Sequence, residues 1–388
     1  MANFCIICEF NPLHNGHAYL LQRARELGAD TVTCIMSGNS TQRGELAIVD
    51  KYLRAEAAVE CGADLVLELP FPWCSASADF FANAGVSIAA ECGDVLLFGS
   101  ECGDTQYLSE AAEYCESEEF CTLYDEYTRS GMGAAAAYSL CLSKRGFERI
   151  SSNDLLGIAY IRAIKRQGCA IVPMAVKRVG ASYNQAELPD GELPSATALR
   201  EAVARGEIEA LDAHMPRIMR DIIVREHESG RLTDIEQASA AMLGYFRLCS
   251  PCALDGVADT DGGLSNRILS AARKSTTYEE LLNNLRTKRY TDAKLRRALL
   301  FSLASVGGDM LSQLPEYTLL LGANDKGRAI LSQMRRAQRL QVVTKPADAP
   351  KESRQSIASD RLDSIYGLAR NKKMAADEFV RKKAYIVK

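Results

Sequence analysis

The stretch Glu9-Phe10-Asn11-Pro12-Leu13-His14-Asn15-Gly16-His17 lies between an apolar run at residues 4–8 and a helical pattern at residues 18–27. This order places the stretch in a strand-to-helix turn at the carboxyl edge of a parallel sheet, where loops converge and ligands bind. The helix that follows offers unpaired N–H groups and a partial positive charge to phosphate. The stretch therefore predicts a phosphate-binding site at the start of an α/β fold.

His14 and His17 carry the chemistry of this stretch. Residues three apart on the first helical turn share a face, so both imidazoles can donate hydrogen bonds to phosphoryl oxygens in one pocket. Gly16 leaves room for a flat base or a ribose against the backbone. The alternative is a helix cap beside a solvent-facing histidine. A site of this kind needs no enzyme nucleophile, because an external nucleophile attacks the α-phosphorus of a bound triphosphate.

A second motif, Ser195-Ala196-Thr197-Ala198-Leu199-Arg200, opens a helix after the last predicted strand. Ser195 is a favourable N-cap residue. Two hydroxyls, free backbone N–H groups and an arginine one turn into the helix predict a cradle for β- and γ-phosphates. The alternative is an ordinary capping box in which Arg200 is merely solvated.

The first two hundred residues alternate apolar runs with helical patterns, which predicts βαβ units and a parallel sheet. The predicted strands are residues 4–8, 31–36, 65–69, 95–98 and 171–176. The predicted helices are residues 18–27, 51–61, 77–90, 155–165 and 197–204, with a longer helical region at 107–144.

After about residue 206 the strand signals fade, and the helical patterns at residues 235–248, 278–285, 292–303 and 326–335 predict a mainly helical remainder. We therefore expect two domains, a catalytic α/β domain at residues 1–205 and a mainly helical domain at residues 206–388. A length of 388 residues agrees with two domains.

Composition sets few limits: 47% hydrophobic and 25% charged residues are ordinary globular proportions. The net charge of −4 gives no global attraction to nucleic acid, so any RNA contact depends on local basic patches. The amino terminus lacks a basic segment followed by an apolar one, and no apolar run approaches the roughly 20 residues that span a bilayer. We expect a cytoplasmic protein with no membrane partner.

Thirteen cysteines are scattered along the chain, which favours reduced core thiols over a disulfide framework. Cys5 and Cys8 lie in a predicted strand, where residues three apart face opposite sides and cannot readily chelate one ion. Cys249 and Cys252 lie at a turn with better geometry, but no second cysteine or histidine pair follows closely. The sequence predicts no metal site.

Further motifs follow in order along the chain: Met36-Ser37-Gly38-Asn39, Gln42-Arg43-Gly44-Glu45, Phe98-Gly99-Ser100-Glu101, Asn153-Asp154-Leu155-Leu156-Gly157-Ile158, Lys177-Arg178-Val179-Gly180-Ala181 and Leu321-Gly322-Ala323-Asn324-Asp325-Lys326-Gly327-Arg328. With the two motifs above, they resemble the nucleotidyltransferases with a His-x-Gly-His signature and, more narrowly, the bacterial tRNA(Met) cytidine acetate ligases. Phe10 and Leu13 stand where that family usually has tyrosine and phenylalanine, and both preserve an apolar wall. Ser40-Thr41 also departs from the family's usual sequence, in a loop predicted to lie over the pocket.

The resemblance implies a Rossmann-like parallel sheet of the HxGH nucleotidyltransferase type, followed by an α-helical domain. It also implies an ATP-dependent reaction in two steps. Acetate attacks the α-phosphate of ATP to give acetyl-adenylate and pyrophosphate, and N4 of the wobble cytidine of elongator tRNA(Met) then takes the acetyl group and releases AMP. The implied partners are elongator tRNA(Met) and acetate, with no membrane and no DNA. Mg²⁺ is expected with ATP, although no carboxylate cluster marks a dedicated site.

We predict that His14, His17 and Arg200 are catalytic. By the resemblance, ATP contacts residues 7–20 together with Gly99, Asn153 and Arg178. Taken without the resemblance, Asn153 would be a helix N-cap and Arg178 a surface charge. The full predicted ATP set is Ile7, Cys8, Glu9, Phe10, Asn11, Pro12, Leu13, His14, Asn15, Gly16, His17, Ala18, Tyr19, Leu20, Gly99, Asn153, Arg178, Ser195 and Thr197.

Two groups of cations are candidate RNA contacts. Lys51 and Arg54 lie one turn apart on a helix and, with Arg43, can form a cationic rim for tRNA or triphosphate. The stronger patch surrounds Tyr290, because clustered cations bind phosphate and an aromatic ring can stack on an unpaired base. The alternative for both groups is a solvated charged surface. The cations of the stronger patch are Lys288, Arg289, Lys294, Arg296 and Arg297.

Two other functions use the same motifs. One is an adenylyl- or cytidylyltransferase that makes a small nucleotide cofactor, but the long helical half argues against it. The other is a noncatalytic RNA-binding scaffold, which the intact His14, His17 and Arg200 count against.

Overall fold

The computed structural model describes residues 2–178 and 195–387. Eight strands in these ranges form one sheet, in the order β5-β4-β1-β2-β3-β6-β7, with β8 beside β6. Strands β1 to β5 are mutually parallel, and β6 runs antiparallel to β3. The predicted fold class, a mostly parallel sheet with flanking helices, is confirmed. The strands are β1 Asn3–Cys8, β2 Thr31–Ser37, β3 Leu65–Leu69, β4 Val95–Ser100, β5 Val172–Lys177, β6 Tyr317–Ala323, β7 Gln341–Val343 and β8 Tyr385–Ile386.

The described ranges also contain seventeen α-helices. They are α1 Asn15–Glu26, α2 Lys51–Glu60, α3 Ala78–Ala89, α4 Thr105–Tyr114, α5 Glu118–Arg129, α6 Ala134–Lys144, α7 Ser152–Gln167, α8 Ala196–Ala204, α9 Arg217–Glu228, α10 Ser239–Leu248, α11 Leu264–Ala272, α12 Tyr278–Leu285, α13 Asp292–Ala304, α14 Gly308–Leu311, α15 Asp325–Ala337, α16 Arg354–Leu368 and α17 Asp377–Val380. Short 3-10 helices occupy Trp73–Ser75, Ile208–Leu211, Ile235–Ala238, Pro251–Leu254 and Pro346–Asp348.

The predicted elements of the first two hundred residues are confirmed to within a few residues, and the exceptions have local causes. The first helix begins at Asn15 rather than at residue 18, because His14 caps it. The long helical region at 107–144 is three helices, since Ser117 caps α5 and Gly133 precedes α6. Capping residues and glycines supply these breaks.

The second half of the chain is mainly helical, but it also contributes three strands that the sequence did not predict. Strand β6 extends the sheet beside β3, and β7 and β8 both pair with β6. All seven residues of β6 are buried. A short continuous apolar run such as this one cannot be told from a buried helix by periodicity, and that is why the sequence missed it.

The sheet separates two hydrophobic cores. On β1, Cys5 and Ile7 face one core, whereas Phe4, Ile6 and Cys8 face the other. The predicted opposite orientation of Cys5 and Cys8 is confirmed, and each of the thirteen cysteines is a free thiol. Helices α3, α7 and α10 to α13 share the Cys5 side, and helices α1, α2, α8 and α9 share the other. No helix in residues 2–178 and 195–387 is long and apolar enough to span a membrane.

Lys51 lies in the interior and not on an RNA-binding rim, which corrects its predicted role. Only 3% of this residue is exposed. Its ammonium lies 2.8 Å from Glu68 Oε1 and 3.4 Å from Asp363 Oδ2. Burial disfavours the charged ammonium, but the carboxylates of Asp363 and Glu68 outweigh this and hold the pKa of Lys51 well above its ordinary value. The lysine joins β3 to α16.

Arg54 is fully buried as well, so the prediction that it contacts tRNA is also wrong. Its guanidinium donates to the main-chain carbonyls of Glu9 (2.5 Å), Ser37 (3.2 Å) and Gly38, and Nε donates to that of Val49 (2.9 Å). The side chain therefore ties together the turns that leave β1 and β2. Both corrections have one physical reason: the first turn of α2 faces the protein interior.

Candidate active site

A cavity of about 380 Å³ opens at the carboxyl ends of β1, β4 and β5. The strand order reverses at β1, which has β2 on one side and β4 on the other. Such a switch point is where α/β sheets bind ligands. The cavity brings both predicted phosphate motifs together. Its polar and charged lining consists of Glu9, Asn11, His14, His17, Tyr19, Thr41, Gln42, Arg43, Glu45, Ser152, Asn153, Tyr160, Lys177, Arg178, Ser195 and Arg200.

The histidine motif forms a capping box at the start of α1. His14 is the N-cap, and its Nδ1 accepts the N–H of Gly16 at 3.1 Å. In return, the main-chain N–H of His14 donates to Nδ1 of His17 at 3.3 Å. A Cβ at Gly16 would lie 2.9 Å from the His14 ring, so glycine is what allows this cap. His14 is thus a cap, as the alternative interpretation held, but His17 lines the cavity instead of facing bulk solvent.

The two imidazole rings stack at 3.7 Å between centroids. Burial, followed by Arg178 and Arg200, lowers the pKa of His14 to about 3. Burial, followed by His14 and Arg178, lowers the pKa of His17 well below its ordinary value. Both rings are therefore neutral at pH 7. Because each Nδ1 accepts a backbone N–H, the proton of each ring is on Nε2, which makes the pair two neutral donors.

The second motif contributes Ser195, Ala196 and Arg200 to the lining of the same cavity. Ser195 caps α8, as predicted, by accepting the N–H of Ala198 at 3.2 Å. Arg200 donates through Nη1 to the carbonyl of Asn11 at 3.0 Å and through Nη2 to Glu45 Oε2 at 2.9 Å. Its guanidinium is thereby fixed beside the histidine turn and is not merely solvated.

Asn153 and Arg178 meet at Glu101, a residue that sequence reasoning did not single out. The amide of Asn153 donates to Glu101 Oε1 at 2.5 Å, and Arg178 Nε lies 3.7 Å from the same oxygen. Ser151, not Asn153, caps α7, so the N-cap interpretation of Asn153 is wrong. At Gly99, a Cβ would lie 3.2 Å from Arg178 Cγ, so the glycine leaves room for that side chain.

The predicted ATP set divides into residues that line the cavity and residues that support it. Phe10 lines the cavity and lies 5.0 Å from the His17 ring, whereas Leu13 packs in the core. The side chain of Asn15 donates instead to the carbonyl of Ala213. The members outside the lining are Pro12, Leu13, Asn15, Ala18 and Thr197. Val179, Gly180 and Ala181 of the Lys177 motif fall outside the described residues.

The patch around Tyr290 also divides in two. Lys288 and Arg289 are exposed on the turn before α13. The other three cations are paired with carboxylates: Lys294 with Asp261 at 2.7 Å, Arg296 with Glu45 at 2.9 Å and Arg297 with Asp259 at 2.6 Å. Lys288 and Arg289 are therefore the cations most available to an added phosphate, while Arg296 reaches the cavity rim through Glu45.

Residues 2–178 and 195–387 contain no group of three or more His, Cys, Asp or Glu side chains that could hold a metal ion. Cys249 is half-buried and Cys252 exposed. Those described residues do not build a carboxylate cage for Mg²⁺.

The chain is similar to known proteins in both sequence and fold. A family model described as HIGH Nucleotidyl Transferase matches residues 1–379. The chain is 36% identical over 365 residues to a tRNA(Met) cytidine acetate ligase of Acetivibrio thermocellus, with 88% of each chain covered. It is 37% identical over 348 residues to one of Caldicellulosiruptor bescii, covering 88% of this chain and 86% of that one. A crystal structure of Thermotoga maritima TmcAL bound with alpha-thio ATP superposes with a TM-score of 0.88 at 29% identity over the whole of both chains.

Proposed function

We propose that this chain, which belongs to the tRNA(Met) cytidine acetate ligase family of HIGH nucleotidyl transferases, activates acetate with ATP and transfers the acetyl group to N4 of the wobble cytidine of elongator tRNA(Met). The observation that carries this proposal is one cavity whose lining holds the His14 and His17 rings, each left with an Nε2–H donor, together with the guanidinium group of Arg200. That arrangement suits a polyphosphate whose charge moves during reaction. We place the reaction in the cytoplasm, where ATP, acetate and tRNA are available together.

In the first step, an acetate oxygen bonds to the α-phosphorus of ATP, and the bond to the pyrophosphate oxygen breaks. Negative charge grows on the phosphoryl oxygens as this bond breaks. We assign His14 and His17 as donors to these oxygens and Arg200, with Ser195, to the departing phosphates. Fixed donors and cations of this kind stabilise the transition state more than the bound substrate. No side chain forms a covalent intermediate.

Asn153, Gly99 and Arg178 hold the nucleoside end of ATP in this proposal, on the side of the cavity formed by β4 and β5. Mg²⁺ enters only as the partner of the triphosphate, since the described residues offer no carboxylate cluster for it. We therefore assign no step to a protein-bound ion.

Substituting Glu101 by glutamine is expected to raise KM for ATP by about tenfold with a smaller change in kcat. The substitution removes the charge that holds Arg178 and weakens the bond to Asn153, so both ATP contacts lose their orientation. Steady-state kinetics of acetate-dependent pyrophosphate release measures the effect. Glu110→Gln on α4, which removes a carboxylate bonded to Gln106 on that helix, is the matched control. An unchanged KM for ATP would rule out this positioning role.

We further propose that the helical region around α13 binds tRNA through Lys288, Arg289 and Tyr290. The double substitution of Lys288 and Arg289 by alanine is expected to weaken tRNA binding and to reduce its salt slope by about 2, because each phosphate contact contributes about 1. Pyrophosphate release should be unaffected. The control replaces Lys144 and Arg145 by alanine. These two cations are neighbours in sequence, are exposed, and also lie over tyrosine rings. Equal losses in both variants would argue against a specific patch.

The decisive experiment is incorporation of labelled acetate into tRNA by the purified protein, with and without ATP, followed by nucleoside analysis. ATP-dependent label in N4-acetylcytidine of elongator tRNA(Met) is the expected result. Release of AMP and pyrophosphate without label in tRNA would instead favour a different acceptor, as in a small-molecule nucleotidyltransferase. Binding of ATP without its consumption would favour a noncatalytic scaffold.

A further inference from the structure

Glu9 belongs to the predicted ATP set and lines the cavity, but the reaction steps above give its carboxylate no chemical task. It lies between the end of β1 and Phe10, whose backbone has a φ of 48°. Its side chain lines the same cavity as His14 and His17. Glu9 Oε1 accepts the main-chain N–H of Gln42 at 2.7 Å. Glu9 Oε2 has no hydrogen-bond partner among the residues that the structure describes.

The second carboxylate and the two imidazoles of the lining are committed elsewhere. Glu45, the second carboxylate, is bonded through one oxygen to Arg200 and through the other to Arg296, both at 2.9 Å. His14 and His17 use Nδ1 as acceptors and present only the protonated Nε2 to the cavity. Within the described lining, Glu9 therefore supplies the carboxylate oxygen that is free to take a proton.

The second step of the proposed reaction has such a proton to dispose of. The N4 amine of cytidine bonds to the acetyl carbon of acetyl-adenylate, and the bond from that carbon to the phosphate oxygen breaks. The electron pair of the broken bond leaves with AMP. The nitrogen begins with two hydrogens and keeps one in the amide, so one proton must go to an acceptor. General bases aid such steps by about 10²-fold to 10⁴-fold.

We infer that Glu9 is the general base of acetyl transfer, with Oε2 accepting the N4 proton as the C–N bond forms. This inference rests on the proposed function. It requires that the attacking amine reach the end of the cavity where Gln42 and Glu9 meet, beside the histidine turn. Since Oε1 is held by the Gln42 N–H, Oε2 is fixed in orientation and does not need to be ordered during the reaction.

The electrostatic surroundings agree with a base. Burial raises the pKa of Glu9 above its ordinary value, against the opposing influences of the Gln42 N–H, Arg200 and Arg43, while Glu45 adds to the rise. Tyr160, Cys8 and Arg54 also interact with Glu9. Burial raises the pKa of Tyr160 and of Cys8 well above their ordinary values, so the phenol and the thiol stay neutral, and Arg54 is bonded to main-chain carbonyls, including that of Glu9. A carboxylate with a raised pKa takes a proton more readily at neutral pH.

The test separates the two steps by using Glu9→Gln. The glutamine carbonyl can still accept the Gln42 N–H, so the loop is kept, but it cannot take a proton. In single turnovers from preformed acetyl-adenylate to tRNA, we expect transfer to be at least about 10²-fold slower than with the wild type. Glu9 also belongs to the predicted ATP set, so acetate-dependent exchange of pyrophosphate into ATP is measured on the same variant at saturating ATP. Because that step has no proton to remove, we expect exchange to slow by a factor at least about tenfold smaller than transfer does.

The wild-type pH profile of transfer provides a second measurement that depends on no variant. Transfer should slow as pH falls through the pKa of Glu9, with a slope of one proton, and Glu9→Gln should lose this dependence. Glu9→Asp, which keeps the carboxylate but withdraws it, should recover part of the rate.

Three results would overturn the inference: transfer by Glu9→Gln at the wild-type rate, an equal loss of exchange and transfer, or a flat wild-type profile. Equal losses would show that Glu9 only shapes the loop. If the wild type exchanges pyrophosphate but makes no N4-acetylcytidine, the proposed acceptor fails and the inference fails with it. If the wild type makes the product and Glu9→Gln makes it at the same rate, only the inference fails.

Discussion

Replacing His17 by alanine is expected to slow acetyl-adenylate formation by about 10²-fold or more. The ring lies in the cavity wall, and its Nδ1 is already used by the main chain of His14, so Nε2–H is the group left for phosphate. Loss of a donor that acts on the growing charge lowers kcat more than substrate affinity. Acetate-dependent exchange of pyrophosphate into ATP measures this step without tRNA.

Substituting His17 by asparagine or by glutamine distinguishes the roles of the two ring nitrogens. Asparagine at position 17 can retain an acceptor near the Nδ1 position but has no donor at the Nε2 position, whereas glutamine can place an amide N–H near Nε2. His17→Gln should therefore be faster than His17→Asn, which should resemble His17→Ala. Thermal unfolding checks that all three variants keep the fold. Undiminished pyrophosphate release by His17→Ala would contradict the proposed role.

Replacing Lys51 by methionine is expected to lower the free energy of unfolding by about 3–5 kcal/mol. The side chains of Glu68 and Asp363 are only 5% and 12% exposed, and the substitution leaves both carboxylates without their shared cation. The penalty comes from the uncompensated buried charges and not from loss of the ion-pair energy itself. Denaturant unfolding monitored by circular dichroism gives the change.

The matched control for this prediction is Arg129→Met on α5. Its ion pair with Asp125 is exposed on both sides, at 82% and 61%, and such surface pairs contribute about 0–1 kcal/mol. If Lys51→Met unfolds like the wild type but loses salt-dependent affinity for tRNA, the interior role is wrong and the RNA-binding interpretation of Lys51 returns.

The difference between Lys51 as predicted and as observed illustrates what a single sequence can specify. A helical pattern shows that Lys51 and Arg54 share a face, but it does not show whether that face meets solvent. Whether Lys51 is buried depends on its partners, which are Glu68 in β3 and Asp363, more than 300 residues away on α16. Long-range contacts of this kind leave no local periodicity.

Local geometry was more predictable. The spacing of His14 and His17 after a strand was enough to place both rings in one pocket, because the parallel-strand edge and the helix start are fixed by short-range rules. Ser195 as a helix cap follows from the same type of rule and is confirmed. Glu101 and Glu45 were not singled out, since their importance arises from the side chains that the fold brings to them.

Because β6 pairs with β3, the sheet cannot be completed before β6 has been synthesised. The partner of β3, the Asp363 that pairs with Lys51 and the Arg370 that pairs with Asp50 all lie in the last quarter of the chain. The turn with both histidines is synthesised before these partners, so its supporting elements lack them until residues 317–370 have followed. Chains with such distant pairings fold slowly and expose unpaired strand edges meanwhile. The strands of the first two hundred residues therefore gain the last strands of their sheet only from residues far along the chain.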